Sequence, residues 1–306
     1  VENLEVDLYL DVAEGERLHV KRIYRPGARA AVLMLHGVLS NGRIFYTQTG
    51  KGLAHYLARA GYDVFVLDLR GHGASQPPID RQTRHGQSDA ICVDLPAVHA
   101  KIRELTNGAE LHWLAHSWGG VLMSSCLLRF PQLIPQVKSC VYFASKRSVA
   151  VRNWQRLLKV DLVWNYAARA VVSMAGFLPA RRLRLGIDDE SAKYHRQCNQ
   201  WAQGMPWVDS DDGFNYADAA RHTVLPPILY FSAFDDACLG HREDVRRFRD
   251  ESGAHRSRLH LLARFTDHLH DYDHASLLTH ADAVNDHFPL VLHWLGGHHE
   301  SVSENY

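Results

Sequence analysis

No Cys-x-x-Cys pair occurs in this 306-residue sequence, and its five cysteines, Cys92, Cys126, Cys140, Cys198 and Cys238, are odd in number and far apart. That argues against a disulfide framework and against a structural zinc site. Charge of one sign is lacking as well: 34 basic residues face 34 acidic ones, so the balance gives no reason to expect nucleic acid or an anionic membrane as a partner. No apolar run is long enough to span a bilayer. The most apolar stretch, LLKVDLVWNYAARAVVSMAGFLP, is broken by Lys159, Asp161, Asn165 and Arg169, and reads as amphipathic helices with no stable membrane insertion. The opening VENLEVDLYL has neither the basic start nor the apolar core of an export signal, which makes the cytoplasm the expected compartment. Repeats and low-complexity segments are missing, the tail GGHHESVSENY is expected to fray, and the oligomeric state leaves no mark.

What is present is an ordinary globular core, 46% hydrophobic, with 21 scattered histidines that would make net charge fall as pH rises through the imidazole range. A hairpin is expected from LEVDLYLDV and ERLHVKRIY. After it, short apolar runs of the kind that suit buried parallel strands (AAVLMLHG, GYDVFVLD, ELHWLA, VKSCVYFAS, PPILYFSAF, SRLHLLARF) alternate with helical stretches, the last being HADAVNDHFPLVLHWL. Strand and helix in alternation predict an α/β fold with a mostly parallel central sheet covered on both faces. Residues 146–222 break the pattern: they hold no convincing strand but carry aromatic and apolar residues at helical spacing. The expected organisation is therefore a core over 1–145 and 223–300, with a helical cap inserted over 146–222.

One short stretch, LAHSWGG at 114–120, carries the chemistry. A strand precedes it and a helix follows, so Ser117 falls on a strand-to-helix corner. Ala115-His116-Ser117-Trp118-Gly119 is the G-x-S-x-G nucleophile elbow with alanine in first place. A serine there needs a base, a group to orient the base, and donors for the developing oxyanion. Two backbone N–H groups are expected as donors, that of Trp118 and that of Val38 in the loop HGVLSNGR, with Leu39 as the near alternative to Val38. Asp235 and Asp236 both follow the strand that begins near Pro227, and either could orient the base. FTDHLHDYDHASLL offers His268, His270 and His274; His274 is where a loop hands back to a terminal helix, so it is the candidate base. The HLHDYDH cluster lacks the glutamate of a zincin helix and any cysteine partner, so no metal is expected. GHGAS lacks the lysine and spacing of a phosphate loop, so no nucleotide or other cofactor is expected. Trp164, Met174, Phe177 and Trp201 of the inserted segment are expected to roof the Ser117 site.

Taken in order, HGVLSNGR, GYDVFVLDLRGHGAS, AHSWGG, FSAFDDACLG and DYDHASLL resemble the α/β-hydrolase superfamily over nearly the whole chain. AGFLPARRLRLG and NQWAQGMPW are similar to a little-characterised branch of it with a helical cap. The resemblance implies Asp236 as the acid, with Ala233 at the glycine position of the usual G-x-x-D-x-x-apolar turn. It also implies Tyr272-Asp273-His274 in place of the usual tyrosine-glycine-histidine. The activity it implies is a serine hydrolase acting on a small-molecule ester through an acyl-enzyme, and the expected cap limits the acyl chain to short or medium length. Acyl transfer by the same triad, or a non-catalytic ligand-binding protein of the same fold, are the alternatives.

Overall fold

The computed structural model describes residues 2–299; the end of the GGHHESVSENY tail lies outside them. Strands β1 (Leu4–Ala13) and β2 (Glu16–Tyr24) form the expected antiparallel hairpin, turning at Gly15, whose φ of 71° a side-chain-bearing residue would resist. β3 (Ala30–Leu35), β4 (Tyr62–Asp68), β5 (Leu111–His116) and β6 (Val137–Phe143) follow. The two-residue strands β7 (Phe177–Leu178) and β8 (Glu190–Ser191) pair with each other. β9 (Ile228–Ala233) and β10 (Ser257–Leu262) complete the set. The main sheet has eight strands in the order β1-β2-β4-β3-β5-β6-β9-β10. The β1–β2 and β2–β4 pairings are antiparallel; every pairing from β4 to β10 is parallel.

Burial on both faces explains why these strands read as unbroken apolar runs. Along β3, Ala31, Leu33 and Leu35 join one buried cluster while Ala30, Val32 and Met34 join the other, the period of two that a pleated strand imposes. The first cluster is closed by helices Leu95–Leu105 and Trp118–Arg129, the second by helices Leu53–Arg59 and Phe288–Leu295. In the last of these, Phe288, Val291, Trp294 and Leu295 are buried, each contributing roughly 1.5–3 kcal/mol.

Two helices depart from the simple reading. The expected final helix is broken: a short 3-10 turn, Ala281–Val284, precedes Phe288–Leu295. Pro289 has no N–H to give and so fits only a first turn. Pro96 has a related effect, because a wide turn at Ala90–Asp94, in which Leu95 N–H reaches back to Ala90, leads into helix Leu95–Leu105 with the proline at its start.

Between β6 and β9 the chain is mainly helical, with helices at Leu157–Ala167, Ala168–Ala175, Ala192–Ala202 and Tyr216–His222. The β7–β8 pair is the strand content that helical spacing could not reveal. Tyr194, Cys198, Trp201, Trp207 and Tyr216 from this segment belong to the same buried cluster as β3 and β5. Among the described residues, no helix is long and apolar enough to cross a membrane.

Candidate active site

Ser117 stands between β5 and helix Trp118–Arg129 with φ 53° and ψ −124°, a left-handed conformation that costs a residue bearing a Cβ on the order of 1–3 kcal/mol. Close packing holds it there. A Cβ on Gly119 would lie 2.6 Å from Leu35 O and 2.7 Å from His36 O; one on Gly120 would lie 2.4 Å from Ser145 Oγ. The glycine pair that neither a strand nor a helix interior would select therefore answers to the backbone of β3 and to the loop after β6.

The turn lifts the Ser117 hydroxyl to His274. Ser117 Oγ lies 3.0 Å from His274 Nε2, and His274 Nδ1 lies 2.5 Å from Asp236 Oδ2. For the serine to donate to Nε2, the ring proton must sit on Nδ1, where the carboxylate accepts it. Asp236 is buried, and its second oxygen accepts Leu239 N–H at 2.8 Å. Burial pushes this carboxyl up, but the neighbouring His274, Lys146 and Leu239 N–H outweigh it and hold Asp236 below the ordinary carboxylate value. Room for it depends on Gly240, where a Cβ would stand 2.7 Å from Asp236 Oδ2 and 2.4 Å from the Ala144 Cβ. Asp235 is exposed and is tied through its backbone N–H to Tyr272 O at 2.8 Å. His268 pairs with Asp286 and His270 with Asp282, each at 2.7 Å. Of the three candidate histidines, only His274 meets the serine.

Two histidines that motif reasoning treated as mere flanks hold this arrangement. His116 Nε2 lies 2.7 Å from the backbone oxygen of His274, and the two rings are 4.7 Å apart. Burial pushes His116 down to about 3, so it is neutral and donates to that carbonyl. His36, at the end of β3, accepts Leu69 N–H at Nε2 (3.0 Å) and therefore donates from Nδ1 to Gly37 O (2.8 Å). Burial, with His72 nearby, lowers His36 to about 4 and keeps it neutral.

The loop after β3 is fastened from further sides. Gly42 N–H donates to Asp68, Asn41 Nδ2 donates to Asp188, and Leu39 O accepts the N–H groups of Ile187 and Asp188. The same Asp188 accepts Gly73 N–H, which gives the GHGAS loop a structural role. The chain just beyond ARRLRL is thus packed on Leu39.

Gly37 sits directly against the serine: a Cβ there would lie 2.7 Å from Ser117 Cβ and 3.2 Å from Ser117 Oγ. The next peptide N–H, that of Val38, donates to no acceptor among the described residues, and neither does that of Trp118 at the start of its helix. Leu39 adopts φ 57°. Replacing Gly37 with alanine is expected to displace Ser117 and lower any activity there on the order of 10²-fold. Circular dichroism should remain native while labelling of Ser117 by a fluorophosphonate slows.

The expected roof is corrected in part. Met174 is 75% exposed. Trp201 is buried, 6.4 Å ring to ring from Trp118, and packs on Trp207 and Tyr216. Trp164 packs against His195 with ring centres 4.5 Å apart and the planes tilted by 57°, and Phe177 is half-buried in β7. Helical spacing identified apolar faces here, but which surface each face meets depends on the whole chain. Three surface cavities, of about 530, 360 and 330 Å³, have neither Ser117, Asp236 nor His274 in their walls.

The intervening segment is also anchored electrostatically. Buried His72, in the loop after β4, lies 3.4 Å from buried Glu190 of β8. Burial disfavours charge on His72, yet Glu190 raises it to about 9. A histidine raised above its unfolded value of 6.5 contributes stability that is complete below about 6.5 and is lost as pH rises through about 9. Urea denaturation across that window should show stability falling with pH, and Glu190→Gln should remove that part of the slope.

Comparison with known proteins agrees with the architecture. The family model described as alpha/beta hydrolase fold matches residues 30–250. The chain is 26% identical over 131 residues to bifunctional epoxide hydrolase 2 of Sus scrofa, covering 43% of this chain and 21% of that protein. It is 27% identical over 122 residues to the "Probable lysophospholipase L2" of Haemophilus influenzae, covering 40% of this chain and 38% of that protein. The matched stretches therefore span well under half of these relatives' lengths. Among solved structures, a soluble variant of the monoglyceride lipase of Saccharomyces cerevisiae superposes with a TM-score of 0.65 at 16% identity, covering 98% of this chain and 96% of the other.

Proposed function

The chain belongs to the α/β-hydrolase fold family, and from that premise we propose that it is a serine hydrolase cleaving a carboxylic ester through an acyl-enzyme. The observation that carries this reading is the continuous relay from Ser117 Oγ through His274 to Asp236, at 3.0 and 2.5 Å. In the proposed reaction Ser117 Oγ attacks the ester carbonyl carbon while its proton passes to His274 Nε2. Asp236 stabilises the imidazolium, and the N–H groups of Val38 and Trp118 take the oxyanion. His274 then protonates the departing alkoxide, leaving the acyl group on Ser117. Water attacks next, with His274 again as base, and releases the acid. An alcohol or thiol in place of that water would make the same site an acyltransferase.

In this reading the helical segment between β6 and β9 acts as a cap. Its support is that it touches the loops after β3, β4 and β9, through Leu39 with Ile187, His72 with Glu190, and Ala237 with Asn153. These loops lie at the C-terminal ends of parallel strands, where open α/β sheets bind ligands. Lined by apolar groups, such a site would favour each added acyl methylene by about 0.8 kcal/mol until full. Catalytic efficiency along a series from acetate to octanoate esters is therefore expected to climb and then fall at short to medium length. A flat series would count against an apolar acyl site, and preference for long-chain triglyceride against a closed cap. Fluorophosphonate labelling of Ser117 with no turnover of any simple ester would favour acyl transfer, whereas no labelling would favour a ligand-binding protein.

A further inference from the structure

Ten residues beyond His270, the chain returns to it. His270 Nε2 lies 2.7 Å from Asp282 Oδ2, and His280 Nδ1 lies 3.8 Å from the same oxygen. The two imidazoles are 4.2 Å apart between ring centres. One ligand atom from each of His270, His280 and Asp282 lies within 4.8 Å of the others. In a tetrahedral shell with bonds of about 2.0–2.2 Å, neighbouring ligand atoms stand roughly 3.3 Å apart. Reaching that spacing from separations that run up to 4.8 Å takes movements of up to about 1.5 Å, shared between side chains that are partly exposed. His280 Nδ1 accepts Asp282 N–H at 3.2 Å at the start of the 3-10 turn, a bond the ring gives up if it binds an ion through that nitrogen.

We propose that His270, His280 and Asp282 form a transition-metal site, with zinc as the fitting ion and a water or other small ligand in the fourth position. The donor set decides the class of ion. Two imidazoles and one carboxylate suit zinc and its neighbours, whereas calcium and magnesium require shells of oxygen. One carboxylate beside a single histidine would complete an ordinary hydrogen bond. The second ring brings a further nitrogen donor to the same oxygen, which a cation can use and a hydrogen bond cannot. None of the three residues belongs to the Ser117 relay, so the site stands independently of the proposed hydrolysis.

Its position gives the ion a task. His270 lies in the loop that leads to His274, and His280 with Asp282 opens the 3-10 turn on the other side of it. Tyr272 is flanked by both rings, each 5.7 Å away, and its backbone oxygen receives Asp235 N–H. An ion bound here would staple the two segments that flank His274, and metal that binds only the folded state raises its stability by mass action.

Zinc chloride titrated into chelator-treated protein by calorimetry tests this. One saturable equivalent is expected, together with a melting temperature that rises with zinc concentration. His270→Ala and His280→Ala should each weaken binding at least about tenfold, while His293→Ala, in the stacked His293–His298 pair, should leave it unchanged. Cobalt(II) supplies a second readout: His280→Cys with native circular dichroism should bind it with a thiolate-to-metal charge-transfer band that the unsubstituted protein, its four buried native cysteines included, lacks, since a cysteine thiolate is a competent ligand. No saturable binding, an undiminished equivalent in both alanine variants, or cobalt uptake by His280→Cys without that band would each overturn the site.

Discussion

Replacing Ser117 with alanine is expected to lower ester turnover by on the order of 10⁴ or more, and to abolish fluorophosphonate labelling, while the protein keeps its fold. The size follows from losing the atom that would form the acyl-enzyme; oxyanion donors and binding contacts would still give residual rate over water. Retention of the fold follows from what stays in place. Alanine keeps the Cβ that packs against Gly37 and pays the same conformational cost at φ 53° as serine does. The bond from Ser117 N–H to Phe143 O, at 2.7 Å, is a backbone bond and survives. His274→Ala should produce a loss of similar order. Turnover near the unsubstituted rate in either variant would remove Ser117 and His274 from the chemistry.

Asp236→Asn is expected to cost on the order of 10⁴ in kcat with native circular dichroism. An amide in place of the carboxylate can present an N–H toward His274 Nδ1, which then serves best as an acceptor. The ring proton moves to Nε2, where it faces Ser117 Oγ and blocks proton abstraction. Asp235→Asn is the control, because that side chain is exposed and its neighbour contact runs through the backbone to Tyr272. Comparing kcat for the pair separates the two positions: equal losses, or a loss confined to Asp235→Asn, would place the orienting group elsewhere.

Much of this could be read along the chain because it depends on local chemistry. The six apolar residues of AAVLML reveal a strand buried on two faces, and β3 divides them alternately between two clusters. The AHSWGG corner reveals itself because a glycine pair directly after a strand suits neither a strand nor the middle of a helix; it falls in the first turn of helix Trp118–Arg129. Where the chain folds back on itself, that logic ends. Asp235 and Asp236 are chemically alike and adjacent, and the turn after Ala233 alone decides which one enters the protein. The bond from His116 to His274 O joins residues 158 apart in sequence, and no local pattern marks that pairing. The His270–His280–Asp282 grouping escaped for a similar reason, since HLHDYDH contains only one of its three members.

The amino-acid sequence by itself determined the alternation of strands and helices, the elbow at Ser117 and the loop that bears His274, because hydrophobic period and turn chemistry act over a few residues. Only the tertiary structure decided that His36 and His116 are buried neutral supports, that Trp201 packs by Trp118 while Met174 faces solvent, and that Ile187 and Asp188 clamp Leu39. These depend on which surfaces meet once the sheet has formed, and burial, which sets both the packing and the charge state of these histidines, exists only in the folded chain.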